Sequence, residues 1–148
     1  MEKIRIAKLD PNAIIPTRKH PTDAGLDLYA NAAFIIPPHS VGIVTTGITV
    51  EIESGFVGLL KPKGRNDHLL GAGVVDAGYQ GEILVKIVNT KQMPLKIKPG
   101  DAIGQLVILP VFTPRVLEVS LAEIHQDNSS RGNTGGIMNQ HQTKEMKP

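Results

Sequence analysis

Hydrophobic and polar residues alternate along most of this chain in short runs separated by glycine and proline. Lys3 to Lys8 alternates with the period of a strand. Val41 to Thr45 and Ile48 to Ile52 do the same, as does Glu82 to Asn89, which sets Ile83, Val85 and Ile87 on one side. Leu26 to Ala30 reads as a short strand entered through Gly25, and Phe34 to Ile36 as one that runs into a Pro37-Pro38 turn. Glu53-Ser54-Gly55 turns the chain into a strand over Phe56 to Lys61, and Val74-Val75 is a short apolar piece. After a Pro99-Gly100-Asp101 turn comes the longest apolar run, Ala102 to Leu109. Its β-branched content favours a buried strand over a helix, and Pro110 stops it. Asn12 to Thr22, broken by Pro16 and Pro21, reads as loop, as does polar Gly64 to Asp67. Val116 to Ile124 fits a strand or a short helix. About ten short strands, regular turns and no long amphipathic helix predict an all-β sandwich or barrel. There is no internal repeat.

Beyond Gln126 the pattern stops, and DNSSRGNTGGIMNQHQTKEMKP is polar, glycine-containing and poor in core residues. The expected organisation is therefore a β domain over residues 1–126 and a flexible tail over 127–148. With 148 residues and only 3% aromatics, the core must be built from Ile, Val and Leu, which suit a pleated surface. No cysteine is present, so neither a disulfide nor a thiolate metal site holds the fold. A net charge of +2 with dispersed cations gives no argument for a nucleic-acid partner. No apolar run approaches the roughly 18 residues of a membrane helix, and MEKIRIAKLD lacks a signal-peptide core. The expectation is a cytoplasmic protein without a membrane partner.

Five segments carry candidate chemistry. In GAGVVDAGYQGEI, Asp76 ends an apolar run, with Gly73 and Gly78 beside it and Tyr79 three residues on. A carboxylate there is desolvated unless paired, and it is suited to orienting and deprotonating a water. The alternative is an acidic turn residue beside a core tyrosine. In AGLDL, Asp27 lies between two leucines and points away from their face. It is placed either to hold a hydrated magnesium ion or simply to face solvent. In KPKGRND, Lys63, Gly64 and Arg65 suit phosphate through charge and free backbone N–H groups, against the plainer reading of a solvated loop. His68 has no second histidine at ligand spacing and reads as a surface residue. In PGDAIGQLV, Gln105 is an amide within an apolar strand that needs partners, from backbone or ligand. In RGNTGG, Arg131 among glycines suits closure over an anion, against plain disorder.

The order of these segments, AGLDL, KPKGRND, GVVDAGYQGEI, PGDAIGQLVILPV and RGNTGG, resembles the five ordered motifs of the trimeric dUTP diphosphatases (dUTPases). The likeness runs from about Lys3 to about Gly136. It implies a jelly-roll-like β-clip domain, little helix, a homotrimer with active sites at subunit interfaces, and hydrolysis of dUTP to dUMP and pyrophosphate with magnesium (Mg2+). On this resemblance Asp76 corresponds to the water-activating aspartate. Tyr79 corresponds to the tyrosine under the deoxyribose, which disfavours a 2′-hydroxyl. Gly73 belongs to the backbone that reads uracil. Asp27 matches the acid that holds the metal's water shell, Gln105 the amide near the phosphates, and Arg131 the arginine of the closing tail.

Two motifs depart from the family pattern. No serine stands between Ser54 and Ser120, so Asn66 occupies the place of the phosphate-contacting hydroxyl when Arg65-Asn66 is set against Arg-Ser, and setting Lys63-Gly64 there instead gives no hydroxyl either. In the tail Gly135-Gly136-Ile137-Met138-Asn139 replaces Gly-Phe-Gly-Ser-Thr, and Ile137 covers a base without stacking on it. These departures keep two alternatives open, a diphosphatase for another deoxynucleotide and a non-hydrolysing nucleotide-binding regulator. The related dCTP deaminases place a catalytic glutamate where this chain has Lys86, which argues against deamination.

Overall fold

The computed structural model describes residues 3–127 apart from Asp67 and Ala72. Ten strands follow in order: β1 (Arg5–Lys8), β2 (Gly25–Tyr29), β3 (Phe34–Ile36), β4 (Ser40–Glu51), β5 (Phe56–Lys61), β6 (Leu69–Leu70), β7 (Gly73–Val75), β8 (Glu82–Asn89), β9 (Leu95–Ile97) and β10 (Ala102–Pro110). The one helical piece among the described residues is a 3-10 turn, Leu121–Glu123. The protein is thus all-β, as the alternation predicts, and jelly-roll-like, as the resemblance implies.

Two four-stranded sheets, ordered β1-β4-β8-β6 and β2-β10-β5-β7, make up the body, with a small β3-β9 pair beside them. All strand pairings are antiparallel. Alternate residues point inward, so Val44, Ile48 and Val50 of β4 meet Ile83, Val85 and Ile87 of β8, Leu28 of β2 and Leu106 of β10 in one core. The core is aliphatic throughout, as a chain without tryptophan requires. Asn89 is the large polar exception at 2% exposure. Its amide nitrogen donates to the carbonyls of Ile36 (3.1 Å), Pro37 (3.0 Å) and Met93 (2.8 Å). Its oxygen accepts the Lys91 N–H at 3.1 Å, so the side chain binds β8 to the β3–β9 pair with both ends satisfied.

Several elements differ from the sequence reading. Val41–Thr45 and Ile48–Ile52 are not two strands; all but Ile52 are parts of the twelve-residue β4 (Ser40–Glu51), interrupted by an irregularity between Thr45 and Thr49 where Gly47 takes φ +68. β6 and β9, of two and three residues, were not anticipated. β10 ends at Pro110, as predicted, with the proline itself included as the last residue and paired with Phe56. Val116 to Ile124 is neither strand nor α-helix, and only its 3-10 turn is regular.

Among the described residues, those up to Thr113 form one compact unit and those from Pro114 onward belong to a second. In that unit Glu123 Oε2 accepts from the backbone N–H of Ser120 at 3.0 Å and lies 2.5 Å from its hydroxyl.

Candidate functional site

The motif strands share one sheet. Asp27 on β2 is level with Gln105 on β10, and Gln105 is level with Lys61 on β5. Beyond Lys61 comes the cationic loop, and on the far side of β5 lies β7, which leads into Asp76.

The first half of the candidate site is a cleft of about 350 Å³ lined by Lys19, Asp23, Asp27, Lys63, Arg65 and Gln105, with Gly64 at its rim. Asp27, whose side chain is 19% exposed, forms an ion pair with the ammonium of Lys63. Three cationic side chains face two carboxylates here, so the cleft favours an anion. The loop is latched to β10 at three points. Gln105 Nε2 donates to the Pro62 carbonyl at 2.9 Å, Asn66 Nδ2 donates to the Ala102 carbonyl at 3.1 Å, and His68 Nε2 lies 3.1 Å from the Ile103 carbonyl. Gln105 is thus only half-buried rather than a buried amide, and its nitrogen is taken by backbone. Asn66 spends its amide nitrogen on the loop's own architecture, and His68 is half-buried and bonded rather than a surface residue.

The second half is the turn after β7. Tyr79 N–H donates to the Asp76 carbonyl at 3.1 Å, and Gly78 at the third position has φ +86. That closure needs glycine there and sets Asp76 and Tyr79 at the two ends of one tight turn. Asp76 is exposed in the single chain, not desolvated as its neighbours suggested. Tyr79 is 45% exposed, which removes the core-tyrosine alternative. Gly73, Val74, Tyr79, Glu82 and Leu84 line a second cleft of about 210 Å³. Glu82 was missed by the sequence reading. Its carboxylate accepts the Gly47 N–H at 2.7 Å, while its carbonyl accepts the Tyr79 hydroxyl at 2.9 Å. Lys19 was missed too, although its place beside Asp23-Ala24-Gly25 was a signal. Arg131 and Ile137 lie outside the described residues.

The two clefts share no lining residue. Val75 pairs with Gly58, three residues short of Lys61 on β5, so Asp76 sits about four residues along the sheet and three strands across from Asp27. At strand spacing this separates the two acids by about 20 Å within one chain.

Among the described residues no group of three or more His, Asp or Glu side chains is placed to hold a metal directly. The two carboxylates of this cleft, Asp23 and Asp27, fit a hydrated magnesium ion, which keeps most of its waters and takes one or two carboxylates beside a substrate's phosphates. No helix among the described residues is long and apolar enough to cross a membrane.

Comparison with known proteins adds a family-level result. The dUTPase family model matches residues 11–136. The deoxyuridine 5′-triphosphate nucleotidohydrolase of Candida albicans is 34% identical over 138 residues, covering 90% of this chain and 86% of that protein. The protein of the same name from Nocardia farcinica is 37% identical over 143 residues, covering 91% and 84%. Among solved structures, the Staphylococcus bacteriophage 80alpha dUTPase with dUPNHPP is similar at a TM-score of 0.81 and 27% identity, covering 90% of this chain and 95% of that one. A dUTPase mutant from phage phi11 of S. aureus, described with a structural Mg(II) ion, is similar at a TM-score of 0.75 and 26% identity, covering 80% and 97%.

Proposed function

Since the chain belongs to the dUTPase family, we propose that it hydrolyses dUTP to dUMP and pyrophosphate. The observation that carries this reading is the gathering of Asp27, Lys63, Arg65 and Gln105 around one cationic cleft, on the sheet that also leads into the Asp76–Tyr79 turn. In the reaction Asp76 accepts a proton from a water whose oxygen attacks the phosphoanhydride, and the bond between the α and β phosphates breaks to release pyrophosphate. Lys63, Gly64 and Arg65 bind the phosphates, with Asn66 and Gln105 holding their loop, and Asp27 holds the water shell of magnesium. Magnesium, when bound with the triphosphate, neutralises phosphate charge. Tyr79 backs the deoxyribose and Gly73 meets the base edge. Arg131 and Ile137 of the tail cover the substrate and exclude bulk water.

The separation of the two acids bears on assembly. A base within hydrogen-bond reach of the attacked phosphate and a carboxylate on the same triphosphate's metal shell must lie within roughly 10 Å of each other. About 20 Å within one chain is too far. We therefore propose that each site takes Asp76 from one protomer and Asp27 from another, in a homotrimer. The outer face of the β1-β4-β8-β6 sheet supports a self-contact, because Val41, Ile43, Leu69 and Leu84 lie exposed on it, and Leu84 adjoins the Tyr79 cleft.

The test is a nucleotide panel with magnesium, reading pyrophosphate release from wild type and Asp76→Asn. Pyrophosphate from dUTP, lost in the variant, supports the reading. Turnover of another deoxynucleotide, binding without turnover, or ammonia from dCTP would each replace it with the corresponding alternative.

A further inference from the structure

The turn that presents Tyr79 is fastened to the other sheet at one irregular point. There Gly47 of β4 gives its N–H to the Glu82 carboxylate at 2.7 Å, while its carbonyl accepts the N–H groups of Leu9 (2.7 Å) and Asp10 (3.3 Å). On either side, the Thr46 hydroxyl donates to the Ile83 carbonyl at 2.6 Å and the Thr49 hydroxyl to the Gln80 carbonyl at 3.2 Å. Residues 80, 82 and 83 are thereby held to three neighbouring positions of β4. The Tyr79 phenol in turn donates to the Glu82 carbonyl at 2.9 Å. Its ring lies against the backbone of Gly81, where an added Cβ would run into the phenol oxygen and Cζ.

A ring that is 45% exposed has little packing to fix it. Its position is set instead by where residues 81 and 82 are held. We propose that Glu82 is a positioning residue for nucleotide selection. By pinning its own peptide to Gly47, it holds the Tyr79 ring against Gly81 at the depth that admits a deoxyribose and crowds a 2′-hydroxyl. This rests on the reading of Tyr79 as the sugar's neighbour. Gly81 is part of the same seat, because only a residue without a side chain leaves the ring its place.

The experiment compares wild type with Glu82→Ala, Glu82→Gln and Gly81→Ala, using kcat/KM for dUTP against UTP. The ratio cancels the folded fraction, so loss of stability alone does not move it. Glu82→Ala and Gly81→Ala should each lower discrimination about tenfold, and Glu82→Gln, whose amide oxygen still accepts the Gly47 N–H, should stay within about twofold of wild type. A second readout needs no substrate. The chain has two tyrosines and no tryptophan, so a Tyr29→Phe background leaves Tyr79 as the sole emitter. Its emission should change with Glu82→Ala and not with Glu82→Gln. Unchanged discrimination and emission in Glu82→Ala, or a glutamine variant as impaired as the alanine one, would overturn the proposal. If wild type turned over no dUTP, the functional reading would fail, and tyrosine emission would still decide whether Glu82 holds the ring.

Discussion

Subunit complementation puts the shared-site proposal to a quantitative test. Asp76→Asn removes the base from one half of each site, and such a loss costs about 10²-fold or more in turnover. Asp27→Asn removes the carboxylate from the other half and leaves Lys63 without its ion partner. Each variant alone should be nearly inactive. If the two are unfolded together at equal concentration and refolded, every new site draws its turn from one protomer and its cationic cleft from another. Half of the turns and half of the clefts are intact, so about one quarter of the sites in a cyclic assembly regain both acids. Pyrophosphate release by the mixture should therefore reach about 25% of the wild-type rate, against about 1% or less for the Asp76→Asn parent. The premise that the two acids come from different protomers rests on their separation of about 20 Å within one chain. A pair of acids acting within one chain would give no intact site in any mixture. Activity no higher than the sum of the unmixed parents, in refolded material of unchanged size, would refute the reasoning.

Other tests are more local. Asn89→Leu keeps the volume but strands the carbonyls of Ile36, Pro37 and Met93, and should cost about 2–4 kcal/mol in urea unfolding. His39 holds φ +51, so His39→Val should destabilise by about 1–2 kcal/mol while His39→Asn stays near neutral in the same assay. The Ser120 hydroxyl and then the Ser120 backbone N–H hold the exposed Glu123 carboxyl below its ordinary range. That lowered pKa makes the contact stabilising above the unfolded-state value and removes it as pH falls through the folded one. The Leu121–Glu123 turn should therefore loosen in acid, and Ser120→Ala should return the Glu123 titration, followed by NMR, towards the ordinary range. Truncation before Arg131 should lower dUTP turnover by at least about tenfold with an unchanged circular dichroism spectrum, since the tail is assigned to closure and not to the core.

The alternation of β8 was legible because Ile83, Val85 and Ile87 are buried in one row while their neighbours are not. β4 misled because Thr46 and Gly47 break the period at the irregularity, where burial runs through three residues in succession. Two- and three-residue strands such as β6 and β9 have no period to read, and they exist because a longer neighbour supplies their hydrogen bonds. Within the site, the tight turn of Asp76-Ala77-Gly78-Tyr79 could be anticipated from its glycine. The exposure of Asp76 could not, because it depends on what the sheet edge leaves uncovered. Glu82 was invisible for a related reason. Its partner Gly47 is 35 residues away, and nothing in the local pattern announces a bond closed by the register of two distant strands.

The pairing of Asp27 with Lys63 gives this carboxylate a counter-charge before any ligand arrives. On the proposed reading, the water shell of an arriving magnesium ion would compete with the Lys63 ammonium for Asp27, and its success would free that ammonium to turn towards the phosphates. On that reading cation and phosphate would help each other to bind, because each relieves the charge that the other leaves unpaired.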